Sequence, residues 1–236
     1  MTAAIENAAV ENAAIENAAI QSATAGDEVL ARIARVTRPT PVMPRATFHA
    51  LSQRQREILD DVGALFANGF AHLTMADIAA QLNCSLRTLY TVAASREELV
   101  LIVVDRNLWE IGRSATEAIV PDMAPLAAIR AYLRVANVAV ANITEPFAND
   151  TGAIPAAQAV NDAHNRYLAA VTQALLNEAI RRGDIARCDA AATARIIAGL
   201  GREFAQPHVI ATLRSSPKKA ADDMADIILA GLKAGR

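Results

Sequence analysis

The sequence predicts an all-α protein in which a small N-terminal helical domain is joined by a long helix to a larger helical domain. Three observations carry that expectation. Aromatic residues are only 4% of the 236 residues and alanine is abundant, a composition that favours helix over sheet. Apolar residues recur at helical spacing in segment after segment, and no stretch makes a convincing strand. Between residues 52 and 98, four successive helix starts carry explicit capping residues.

Residues 5–20 repeat a pentad, with Ile5, Val10, Ile15 and Ile20 in register. In a helix each step of five turns the apolar residue by about 140°, so no single stripe forms. Pro39, Pro41 and Pro44 then break any helix and mark a linker. Residues 1–44 are expected to be a low-complexity tail and a basic, proline-containing arm, both disordered. Arg32, Arg35, Arg38, Arg45, Arg54 and Arg56 fall within residues 31–56, which hold no acidic residue. Such a run suits an arm that neutralises phosphates.

From residue 45 to residue 98 the punctuation becomes orderly. Ser52 with Gln55 makes a capping box ahead of the stripe Ile58, Leu59, Val62, Leu65 and Phe66, and Asn68-Gly69 ends that helix. Thr74 caps the next helix, with Asp77 favouring its positive end. That helix stops at Asn83-Cys84-Ser85, and Ser85 caps a third that carries Leu86, Leu89 and Val92. Ser95 with Glu97 and Glu98 reads as a second capping box, opening a long helix through Leu99, Ile102, Val103 and Trp109.

Two short helices meeting at a sharp turn, with small Ala79 at their closest approach, describe a helix-turn-helix. Asn83 occupies the turn, where its side chain tolerates the left-handed conformation. Ile78, Cys84, Leu89 and Val92 supply the apolar contacts. That leaves Ser85, Arg87, Thr88, Thr91 and Tyr90 towards solvent, groups that hydrogen-bond phosphates and base edges. An angle fixed in this way lets one helix enter a major groove while the other braces across the backbone.

Residues from about 54 to 104 resemble the DNA-binding domain of the tetracycline-repressor (TetR) family of bacterial regulators. The matching features are ILDDVGALFANGF, Thr74, DIAAQL, Ser85, TLY at 88–90 and SREEL at 95–99. Asn83-Cys84 stands where the family has Gly-Val, and Thr91-Val92-Ala93-Ala94 stands where an aromatic pair ending in Phe is common. Arg96 keeps the family's basic charge. The resemblance implies phosphate contacts for Thr74, Tyr90 and Arg96, and base reading by Arg87, Thr88 and Thr91. A bidentate Arg87–guanine contact is worth about 1–3 kcal/mol of discrimination. Arg45, just ahead of the first capped helix, would reach a minor groove as homeodomain arms do.

Residues 99–236 are expected to form a helical ligand-binding and dimerisation domain. Its helices are expected near Ala127–Ile143, along the stripe Val160, His164, Tyr167, Leu168, Val171 and Leu175, and around Ile196 to Phe204. A last helix opens at Pro217, and residues 146–155 are expected to be a loop. The resemblance implies a homodimer through helices at 189–212 and 217–233, with Gly199, Gly201 and Gly231 allowing close approach. It also implies an effector pocket beside the long helix, for which Trp109, Tyr132, Phe147, His164 and Tyr167 are the candidates. Their apolar character points to an apolar or aromatic effector.

The expected function is therefore a ligand-responsive regulator on a double-stranded DNA operator, a repressor by the family's usual mode. No nucleophile elbow, P-loop, dinucleotide fingerprint or zinc spacing appears, so neither an enzyme nor a cofactor is expected. A helical interaction scaffold that has lost DNA binding is the alternative, followed by an all-α enzyme using a His–carboxylate pair in the pocket. Cys84 and Cys188 lie far apart without metal-ligand spacing and read as small buried hydrophobes. No run approaches the roughly 18 apolar residues of a membrane span, and no signal peptide is evident, so a cytoplasmic location without a membrane partner is expected.

Overall fold

The computed structural model describes residues 29–141 and 143–234, and all its regular structure is helical. The pentad repeat lies outside the described residues. In chain order the helices are α1 (29–34), α2 (Arg45–Ala50), α3 (Gln53–Phe66), α4 (Met75–Gln81), α5 (Leu86–Tyr90) and α6 (Arg96–Glu117). Then come α7 (Pro125–Ala136), a 3-10 turn (Asn137–Val140), α8 (Glu145–Gly152) and α9 (Pro155–Arg182). The chain ends with α10 (Ala190–Phe204), α11 (Pro207–Ile210) and α12 (Pro217–Ala234). No single described helix is long and apolar enough to cross a membrane.

The caps form as the sequence requires. Ser52–Gln55 and Thr74–Asp77 are complete capping boxes, and the Oγ atoms of Ser85 and Ser95 accept the amides of Thr88 and Glu98. Glu98 does not close a box at Ser95; its carboxylate takes the Ala94 amide instead, 2.7 Å away. Gly69 and Asn83 both adopt positive φ, +92° and +49°, so each turn reverses where a side chain costs least.

Two cores result. Ile58, Val62, Phe66, Phe70, Ile78 and Leu89 pack with Leu99 and Val100 in the N-terminal domain. Ile129, Tyr132, Val171, Leu175, Leu176 and Leu229 form the centre of the larger domain. Helix α6 feeds both, burying Leu99, Val100, Ile102 and Val104 in the first and Ala115 in the second. At 1.5 Å per residue its 22 residues reach about 33 Å, so one rigid rod joins the two domains.

Three expectations are corrected. The part of the basic arm that is described is ordered: Val29 and Ile33 on α1 are buried in the larger core, and Arg32 pairs with Glu178 on α9. Residues 146–155 are mostly helix, because Thr144 caps α8 through the Phe147 amide and Pro146 falls in the first turn, where its missing N–H is harmless. The helix expected across 189–212 divides at Gln206-Pro207 into α10 and α11. Cys84 and Cys188 are free and half-buried.

Candidate functional site

Helix α4 and α5 are set at their angle by the turn between them. The Cys84 amide donates to Ala79 O at 3.0 Å and the Asn83 amide to Ala80 O at 3.2 Å, with Asn83 left-handed. Leu89 is fully buried against α3, which points the opposite face of α5 to solvent. Arg87 is exposed on that face and Tyr90 is 51% exposed.

The hydroxyls around α5 are occupied within the chain. Ser85 Oγ and Thr88 Oγ1 share a hydrogen bond of 2.7 Å. Thr91 Oγ1 donates to Thr88 O at 2.6 Å and accepts from Gln55 Nε2 at 2.8 Å. Thr74 Oγ1 donates to the Asp77 carboxylate, and that bond, together with the Thr74 amide, holds the Asp77 carboxyl below its usual range. These side chains brace the helix-turn-helix, and Arg87 and Tyr90 are left as polar groups without a hydrogen-bond partner among the described residues.

Two basic candidates are placed differently from expectation. Arg96 turns inward, its Nη1 donating to Ala71 O at 2.7 Å and Leu73 O at 2.8 Å, so it ties the α3–α4 loop to α6. Arg45 lies 5.6 Å from the centroid of the Trp109 ring. Trp109 follows Arg96 by about 20 Å along α6, so Arg45 is not brought to the face that carries Arg87. Arg54 and Arg56 are likewise engaged, with Leu82 O and His49 O.

A cavity of about 680 Å³ opens between α6, α7, α8, α9 and α10. Tyr132, Phe147, His164 and Tyr167 line it, and Trp109 stands edge-on behind His164, with ring centroids 5.8 Å apart. Burial, with a smaller contribution from Tyr167, raises the Tyr132 phenol far above its usual range, so it stays protonated.

Sequence reasoning did not single out the polar wall. Asn107, Asn161 and Asn165 line it as neutral amides. Arg106 pairs with Asp60 and Glu110, and Arg202 pairs with Asp162. His164 Nε2 lies 2.8 Å from Asp105 Oδ1, and Asp105 Oδ2 accepts the Val42 amide at 2.8 Å. That buried carboxylate joins the proline-rich arm, α6 and α9.

Helix α8 is shared between the cavity and the N-terminal domain. Phe147 and Thr151 face the cavity, while Asp150 Oδ2 accepts the amides of Phe70 and Ala71 in the α3–α4 loop. Thr144 Oγ1 donates to Ala67 O, and Phe70 meets Phe147 edge-on at 6.1 Å.

No family model and no curated protein matches the chain. Solved structures do. A TetR transcription regulator from Haloarcula marismortui superposes with a TM-score of 0.65 at 16% identity, covering 77% of this chain and 99% of that one. A transcriptional regulator from Cytophaga hutchinsonii gives 0.61 at 12% identity, covering 78% and 98%. The TetR-family regulator PfmR from Thermus thermophilus gives 0.52 at 21% identity, covering 74% and 98%. The chain therefore has the fold of the TetR family of transcriptional regulators.

Proposed function

We propose that the chain is a sequence-specific DNA-binding transcriptional regulator, a repressor that a small molecule releases from its operator. The observation that carries this is the outer face of α5, where Arg87 and Tyr90 are exposed, and unpartnered among the described residues, on a helix whose angle is fixed by the turn and by buried Leu89. Arg87 suits the O6 and N7 acceptors of guanine and Tyr90 suits a phosphate. Thr88, Thr91, Ser85, Thr74 and Arg96 then act chiefly by holding that face in place.

The effector of this reading is uncharged and largely apolar. Aromatic and aliphatic side chains share the wall with the neutral amides of Asn107, Asn161 and Asn165, and both of the cavity's arginines already have acidic partners, so an anion would gain no free cation there. An effector in the cavity would bear on Phe147 of α8, and α8 holds the α3–α4 loop through Asp150. Only an effector that binds the released form better can shift the balance, and it weakens DNA binding by the factor by which DNA weakens its own binding.

A dimer completes the reading. Ile196 on α10 and Ile227 on α12 are 61% and 62% exposed, with Met224 one turn from Ile227 and Gly199 open beside Ile196. That apolar stripe on adjacent helices suits a second copy. Changing Ile196 and Ile227 together to aspartate is expected to leave a folded monomer by light scattering, with DNA affinity reduced at least tenfold. A dimer that survives both changes would place the interface elsewhere.

The test of the proposal is selection of genomic fragments by the purified protein. An enriched inverted repeat with half-sites about 34–36 Å apart, one helical turn, is the expected result. Fragments recovered without any shared sequence would overturn it.

A further inference from the structure

We infer that Leu86 is a specificity-determining residue that reads the C5-methyl group of a thymine, beside the base pair taken by Arg87. The inference rests on the proposed function above and adds to it a residue and a base.

Leu86 is the first residue of α5 and is 40% exposed, although the other leucine of that helix, Leu89, is fully buried. It therefore contributes little to the core that holds the helix-turn-helix together. Tyr90 follows it at i+4, so the two share one row along the helix, and Arg87 is its neighbour in the chain. The hydroxyls of Ser85, Thr88 and Thr91 are bonded to one another, to Thr88 O or to Gln55. What α5 offers outward is one cation, one phenol and one branched apolar side chain.

A DNA major groove offers donors and acceptors on every base pair, but its one apolar group is the thymine methyl. Arg87 answers the guanine acceptors. A leucine answers none of the polar groups and would leave one of them dehydrated without a partner, which disfavours G·C pairs at its position. Against thymine the same side chain covers a methyl group and leaves the polar edge free for water. The neighbouring position of the two residues along α5 puts the thymine next to the guanine pair.

The experiment uses the operator recovered by selection and replaces its thymines one at a time by deoxyuridine, which removes only the methyl. The wild-type protein is expected to lose about fourfold in affinity at one thymine per half-site, the factor that corresponds to one buried carbon. Substitution in both half-sites is expected to cost about fifteenfold. Leu86→Ala is expected to bind the unmodified operator with that same loss and to respond less than twofold to the uridine change. No sensitive thymine in the wild type, or an equal loss in Leu86→Ala, would overturn the inference while leaving the regulator intact. Failure to bind any specific sequence would overturn the regulator and Leu86 with it. The uridine scan of the wild type needs no variant, so a folding defect cannot imitate its result.

Discussion

Replacing Asp150 by alanine is expected to release the N-terminal domain from the larger domain. One oxygen of this carboxylate accepts the amides of both Phe70 and Ala71. Phe70 is itself buried between Phe66 and Phe147, so its amide finds no ready substitute in water. Hydrogen bonds to a charged acceptor contribute about 1.5–3 kcal/mol, so a loss of about 2 kcal/mol is expected. Amide exchange at Phe70 and Ala71 should quicken about thirtyfold relative to the α9 core. Asp150→Asn keeps an oxygen in the same place and should recover part of the protection. If α8 carries the signal, Asp150→Ala will also still bind DNA but respond weakly to an effector. Unchanged exchange at both amides would show that α8 does not hold the loop.

Glu178→Gln is expected to destabilise the larger domain by about 3 kcal/mol, because the charge-assisted hydrogen bonds of Arg181 and Arg182 to the buried carboxylate are lost and a buried amide NH2 is left facing the arginine donors. The Glu178 side chain is fully buried, with Arg182 Nε and Arg181 Nη2 each 2.6 Å from its Oε1 and Arg32 3.5 Å from its Oε2. The arginines are partly exposed, which keeps the expected cost at the lower end for a buried pair. For a chain of this length the melting temperature should fall by roughly 6–12 °C. Burial pushes the Glu178 carboxyl up, and the hydrogen bonds and charges of Arg182 and Arg181 more than offset it, so the net shift is downward. Its contribution is therefore complete above the ordinary glutamate value of 4.5 and disappears as pH falls through the lower folded value. Acid melts of the wild type should steepen below that pH, and Glu178→Gln should flatten them. Parallel curves for the two proteins would remove Glu178 from the acid response.

The helix-turn-helix was legible because its signals are local. Ser52, Thr74, Ser85 and Ser95 each sit at a helix start, and Asn83 and Gly69 each sit where the chain must turn left-handed. Helix α8 was hidden by Pro146 and Pro155, which read as breakers although both fall in the first turn of a helix. Thr144 was the overlooked start signal. The basic arm was misread for a different reason: Val29, Ile33 and Val36 repeat at helical spacing, but the carboxylate that receives Arg32 lies on α9, far along the chain. Asp105 and His164 met in the same way, on two helices whose proximity no local pattern announces. Arg45 and Arg96 carried the right charge for DNA, and tertiary packing took both for Trp109 and for the carbonyls of Ala71 and Leu73.

Sequence-specific DNA binding through α5 is tested most directly by fluorescence anisotropy on the selected operator and on a scrambled duplex. Wild type and Arg87→Ala would be compared at two salt concentrations. The expected result is tight operator binding that falls steeply with salt, and a loss of about 5- to 150-fold per half-site on removing Arg87. Equal, weak binding to both duplexes, indifferent to Arg87→Ala, would contradict it.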